Sequence, residues 1–420
     1  MDGLTTRGAA GGATEGLPAS YIVGIVLAVV LLVALVTVAV LASTNLRGTP
    51  FVPAVFDLTL GAVYLDVIVS SRRLRSVLSI SSPVTYFSTT QCATCVFQPY
   101  DPKLSGDYSS LQVTDTVTFG LDGKVKGTLG TDTVTLQQNT SSIPCGYTSA
   151  SLKPATPLIL QNYLLLAADA ITEAPMNQVG LSPLKFAASD TPVGKAVHAV
   201  LKTRVYESSI LEDLRLSGQP VQWSLLLKPF GSRLWLGQEP PTGPDSCPVA
   251  GPLQYTPLLP ALPDASSPFF SDPGRYYAIG ISSMTRLGPD GVPEPITPTS
   301  YPGTPIPKIA IITLSQPLVV LPQSPLATKL LATSSTNLQG LRLTFVGGAS
   351  LTVNPGRSMW SLGGTGLAPI YGQLPDAATK TLSAKNDVII LGCLALQDTF
   401  MHFDVQGQRF GVTALQGGPL

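Results

Sequence analysis

The stretch AIITLSQPLVVLP, Ala310 to Pro322, decides how this chain is read. Ala310-Ile311-Ile312 and Leu318-Val319-Val320-Leu321 have the apolar, β-rich makeup of two short buried strands. Between them Thr313-Leu314-Ser315-Gln316 is polar at three positions, and Pro317 punctuates the turn. The stretch thus reads as a β-strand entering and leaving a tight turn.

Around this turn, strand-like runs alternate with turn signals. DTVTFGLDGKVKGTLGTDTVTL, Asp115 to Leu136, alternates every second residue about a Gly-Leu-Asp-Gly turn and predicts a β-hairpin. VQWSLLLKP, SRLWLGQ, YYAIGISSMTRLG, LRLTFVGGASLTV and FMHFDVQGQRFGVTAL predict further strands. Helical spacing is sparse: TPVGKAVHAVLKTRVYES, residues 191–208, and SPLATKLLAT, residues 324–333, predict two short helices. The fold class is all-β with a few short helices. The Pro-rich QEPPTGPDSCPVAGP places a boundary between a first lobe, residues 51–240, and a second, residues 241–420.

Composition narrows the function. With 44% apolar residues the chain affords a large core, and 39 Gly and 38 Pro suit a turn-rich β protein. Only 12% of residues are charged, about half the usual share, and 25 basic residues cancel 25 acidic ones. A chain this neutral has no electrostatic case for binding nucleic acid. His198 and His402 are the two histidines, too few and too far apart for a metal centre. No P-loop, GxSxG or HExxH is present, and no cofactor is expected.

One segment lies outside this globular logic. YIVGIVLAVVLLVALVTVAVLA, Tyr21 to Ala42, is uncharged and would span about 33 Å as a helix, enough to cross a bilayer. It predicts a transmembrane signal anchor, with a disordered tail before it (residues 1–20) and a linker after it (residues 43–50). A cleaved signal, cut after Ala42, is the alternative. Arg7 and Arg47 flank the span equally, so positive charge does not orient it. Two features point to a lumenal or extracellular globular part: the sequon Asn139-Thr140-Ser141 and the Cys92-Ala93-Thr94-Cys95 pair. No second CxxC completes a zinc site, so a small-loop disulfide is expected at Cys92 and Cys95.

The order of these pieces resembles the pepsin-like aspartic proteases over nearly all of residues 50–416, and within them the plant-type and xylanase-inhibitor-like branch. CATCVFQPYDPKLSGDYSSL resembles that branch's Cys-rich loop, and the Asp115–Leu136 hairpin its flap. QVGLSPLKFAA, YTPLL with RYYAIGISSMTRLG, and VIILGCLALQDTFMHFDVQGQRFGVTAL resemble later landmarks in the same order. The resemblance implies a bilobal double β-barrel or sandwich with one catalytic Asp from each lobe at the floor of a cleft. Two carboxylates held so close share a proton and supply an acid and a base together.

The family pattern A-I-I-D-S-G-T lies on Ala310–Gln316 with Thr313 in place of Asp, Ser315 in place of Gly and Gln316 in place of Thr. Thr does not titrate at biological pH, so this motif is dead. In the first lobe YLDVIVSSRRLRSVL occupies the corresponding region. One register puts Asp66 at the catalytic position and another puts Ile68 there, and neither restores D-T-G. Asp66 is a remnant or an exposed strand residue. Phe119 stands where the flap Tyr is expected and loses its hydroxyl.

The candidate binding residues are Arg72, Arg73, Arg75, Phe119, Gln316 and Trp360. The three arginines form the densest charge run, read as a cationic patch for an acidic peptide or glycan, as a solvated turn, or as an R-x-x-R processing site. Trp360 follows a Pro-Gly turn and is a candidate exposed platform, whereas Trp223 and Trp235 lie in strands and are expected in the core. Cys393 is expected to be an inert core thiol.

The expected function is that of a membrane-anchored pseudoprotease, catalytically inactive, acting on an unknown protein or glycan ligand as inhibitor, receptor or scaffold. A residual aspartic endopeptidase using Asp66, and a structural wall or surface component, are the alternatives.

Overall fold

The computed structural model describes residues 33, 49–95, 98–119, 123–141, 152–172, 176–183, 204–206, 208–229, 231–238, 251–259, 277–302, 307–361, 367–373 and 388–415. Two compact units make up the chain, Met1–Gly48 and Thr49–Leu420. The expected membrane span at 21–42 lies outside the described residues apart from Val33, as do the tail before it and His198. Among the described residues no helix is long and apolar enough to cross a membrane. All that follows concerns the second unit.

That unit is all-β, with twenty-five strands and two short α-helices among the described residues. Thirteen strands form one sheet. Within it Ala62–Val69 pairs with Arg72–Ser79, which pairs with Asn177–Gly180, then Tyr86–Ser88, Leu158–Thr172 and Gly123–Leu136. Gly123–Leu136 pairs back onto Ala62–Val69 through Val67↔Leu136 and closes a ring. Alternation explains the closure: Val63, Leu65, Val67 and Val69 turn inward from one strand, and Val134 and Leu136 meet them in the same core, whereas Val125 and Leu129, before an irregularity at Asp132–Val134, pack in a separate cluster with Leu164 and Leu166. The predicted hairpin is longer than its sequence signal, Ser109–Phe119 with Gly123–Leu136.

On its other side the same sheet continues through Val52–Asp57, Ser232–Leu236, Gln222–Leu227, Thr399–Asp404, Arg409–Ala414 and Gln254–Pro257. Strands from both ends of the chain thus share one sheet, across the boundary expected near residue 240. Trp223, fully buried, stacks on Phe403 at 3.9 Å and donates its indole N–H to the Tyr277 hydroxyl at 2.8 Å. Trp235 is buried too, as its strand setting predicts.

A second sheet of eight strands holds Tyr277–Leu287, Ile309–Ile312, Val388–Leu391, Val319–Leu321 and their neighbours. The helix predicted at 324–333 spans Pro325–Leu331, where the Ser324 side chain caps it by accepting from the Ala327 N–H at 3.1 Å. The helix predicted over 191–208 falls mostly outside the described residues. A helix missed in the sequence follows it at Ser209–Leu216, burying Ile210, Leu211 and Leu214 at helical spacing.

Candidate functional site

Two turns in the unit are built alike. In the second half Ile309–Ile312 runs parallel to Val388–Leu391, with Ile312 opposite Leu391, and Val319–Leu321 runs antiparallel to the same partner. In the first half Arg72–Ser79 runs parallel to Asn177–Gly180, with Ser79 opposite Gly180, and Tyr86–Ser88 runs antiparallel to it. In each half a glycine passes beneath the turn where no side chain fits. A Cβ on Gly180 would lie 2.4 Å from the carbonyl of Pro83, and one on Gly392 would lie 2.4 Å from the Leu318 oxygen and 2.5 Å from that of Pro317. Matching the prolines aligns Ser79-Ile80-Ser81-Ser82-Pro83 with Thr313-Leu314-Ser315-Gln316-Pro317.

The equivalent of Thr313 is therefore Ser79, and not Asp66 or Ile68. Asp66 sits in the middle of its strand, opposite Arg75, where alternation turns it away from Leu65 and Val67 in the core. The Ser-Ser that suggested the other register, Ser70-Ser71, is a two-residue hairpin loop with both φ values positive, 52° and 66°. The two turns share one sequence pattern, a hydroxyl residue, an aliphatic, Ser, a polar residue and Pro.

Ser79 and Thr313 are both buried. The Thr313 hydroxyl lies 3.0 Å from that of Ser315, Ser315 lies 3.2 Å from Ser81, and Ser81 lies 3.4 Å from Ser79. Four hydroxyls thus connect the two equivalent positions and join the halves. Among the described residues no carboxylate, imidazole or amine is hydrogen-bonded to any of them. A hydroxyl both donates and accepts but stays neutral, so the ladder can position a ligand and cannot take a proton from water. Next to it the Gln316 carbonyl accepts the Cys393 N–H at 2.9 Å, while its buried side-chain Nε2 has no hydrogen-bond partner among the described residues.

The remaining candidates are spread over the unit. Arg73 and Arg75 flank Asp66 at 3.6 and 3.7 Å, with side chains 67% and 52% exposed. Arg72 faces Val69 across the hairpin loop. The R-x-x-R reading is corrected: Arg72–Ser79 is a strand paired along its length to Ala62–Val69, so no extended loop is offered to a processing protease. Phe119 ends its strand opposite Gly123, at the turn end of the hairpin. Trp360 is not an open platform, for it packs against the core, half-buried, and its indole N–H donates to the Leu58 carbonyl.

Asn139 is half-buried and its backbone pairs with Phe51. Cys92 and Cys95 form a disulfide, as expected. Cys393 is fully buried, and burial pushes its thiol pKa far up, which makes it inert. No group of three metal-ligating side chains occurs among the described residues.

No family model matches the chain, and no curated protein matches it.

Proposed function

We propose that this chain is a catalytically inactive relative of the pepsin-like aspartic proteases, anchored in a membrane by residues 21–42, that acts by binding a protein or glycan. The observation that carries this reading is the pair Ser79 and Thr313. They hold equivalent places in two repeated turns, where the pepsin-like mechanism needs two carboxylates sharing a proton, and each offers only a hydroxyl. The closed strand ring of the first half and the sheet shared by strands from both ends of the chain support the bilobal fold. The Cys92–Cys95 disulfide supports a lumenal or extracellular setting, where such bonds persist.

The rival reading, an endopeptidase using Asp66, is disfavoured by that residue's place between two arginines on an outward strand face. The test is cleavage of a peptide library by the full chain in detergent, from acidic to neutral pH, read by mass spectrometry. No cleavage is expected from the native protein. Cleavage by the native protein that Asp66→Ala abolishes would overturn the reading. A Ser79→Asp/Thr313→Asp variant that gains cleavage would add direct support for the equivalence of the two turns.

A further inference from the structure

We propose that the outward face of the Ala62–Val69 and Arg72–Ser79 strands is a docking site for an extended acidic peptide, held by Arg73 and Arg75. The proposal rests on the reading of this chain as a binding protein and names the chemistry of its partner. Arg73 and Arg75 share one face of their strand, while Leu74 between them is buried in the core. The carboxylate facing them is Asp66, at 3.6 Å from one Nε and 3.7 Å from the other. Both separations exceed a good hydrogen bond, so Asp66 balances half the charge without engaging either planar fork. Among the described residues neither guanidinium donates a hydrogen bond, and each is free to take a carboxylate side-on.

The setting is rigid. The arginine strand is paired to Ala62–Val69 along its length and to Asn177–Gly180 at its far end, so binding orders side chains and not backbone. Three of the chain's 25 basic residues fall within Arg72–Arg75, a local positive excess on a molecule with no net charge. The spacing favours a peptide over a glycan. Alternate residues of a strand project about 7 Å apart, which is also the repeat of alternate side chains along an extended peptide. A segment with acidic residues at every second position meets both forks at once, and half-buried Ile68, opposite Arg73, supplies apolar surface beside them.

The experiment uses the full chain in neutral detergent and a labelled, end-blocked peptide of alternating Glu and Thr. A Lys/Thr peptide and a sulfated oligosaccharide serve as comparators. The Glu/Thr peptide is expected to bind saturably and to weaken with added salt. Arg73→Ala/Arg75→Ala weakens it about tenfold, and Asp66→Asn tightens it by removing the competing carboxylate. Absence of saturable binding, indifference to these substitutions, or tighter binding of the oligosaccharide through the same arginines would each overturn the proposal. Peptide that binds and is recovered cut would sink the non-catalytic reading and leave the docking site standing. Peptide that fails to bind and stays whole would do the reverse.

Discussion

The hydroxyls of Ser81 and Ser315 stand 3.2 Å apart, and through them the turn of the first half touches the turn of the second. Ser81 is half-buried and Ser315 exposed, so water competes for the bond. Loss of either hydroxyl should cost about 0.5–1 kcal/mol, and a double-mutant cycle of Ser81→Ala with Ser315→Ala should give a coupling below about 1 kcal/mol. Urea unfolding of the four proteins measures it. A coupling above about 2 kcal/mol would mean that the junction excludes water and organises the halves.

Asp132 makes a different demand. It is buried and accepts from the Tyr100 hydroxyl at 2.6 Å, the Thr133 N–H at 2.7 Å, and the Ser105 and Ser70 hydroxyls at 2.9 and 3.2 Å. Burial and that bond together push the Tyr100 pKa far up. Asp132→Ala strands the buried Tyr100 hydroxyl and three half-buried donors and should cost about 3 kcal/mol, whereas Asp132→Asn keeps one acceptor and costs less. Equal losses from both variants, measured by denaturant midpoint, would contradict this account.

Acid should weaken the sheet shared by the two ends of the chain. His402 is buried, with Nδ1 2.9 Å from the Ser224 hydroxyl and its ring edge-on to Tyr255. Burial lowers its pKa from 6.5 to about 4, so the unfolded chain takes up a proton that the folded chain refuses. The stabilisation is full above 6.5, falls as pH drops towards about 4, and is constant below that. The total loss is about 3 kcal/mol.

Glu212 acts in the same direction. Burial raises its carboxyl pKa, but the bonds from Arg215 and from the Tyr206 and Val205 N–H groups outweigh that and hold it below its ordinary value. Its contribution is present above the ordinary carboxylate range and is lost as pH falls through the folded value. His402→Asn should therefore flatten the stability profile between 6.5 and about 4 while leaving the steeper acid limb in place. A profile unchanged by the substitution would remove His402 from the account.

The glycines beneath the two turns should tolerate nothing larger. Gly180→Ala and Gly392→Ala each drive a methyl group into backbone and should cost about 3 kcal/mol or more. Gly106 and Gly356 have open space where a Cβ would go, and alanine there should be close to neutral. Thermal unfolding of the four variants separates the two pairs.

These residues also show what the chain made legible. The β content, the long hairpin and the second turn were readable because apolar alternation and Pro/Gly punctuation are local signals. The first turn was not, because Ser79 carries no charge to mark it while Asp66 lies nearby in a plausible strand. The likeness of Ser-Ile-Ser-Ser-Pro to Thr-Leu-Ser-Gln-Pro was there to be found, yet it acquires meaning only once Gly180 and Gly392 are seen under both. The Ser209–Leu216 helix was hidden by the stronger helical spacing just before it. The half-burial of Trp360 depends on Leu58, a contact across most of the chain that no local pattern reports.

The two ends of the Thr49–Leu420 unit meet in one apolar cluster. Phe51 packs on Trp235 at 5.9 Å, Trp235 on Phe400 at 5.8 Å, and Leu415 completes the group. In mechanical terms the unit behaves as a clasp. Phe51, near the start of its described chain, and Leu415, at the end, lie in the same group of side chains, fastened by strands of one sheet.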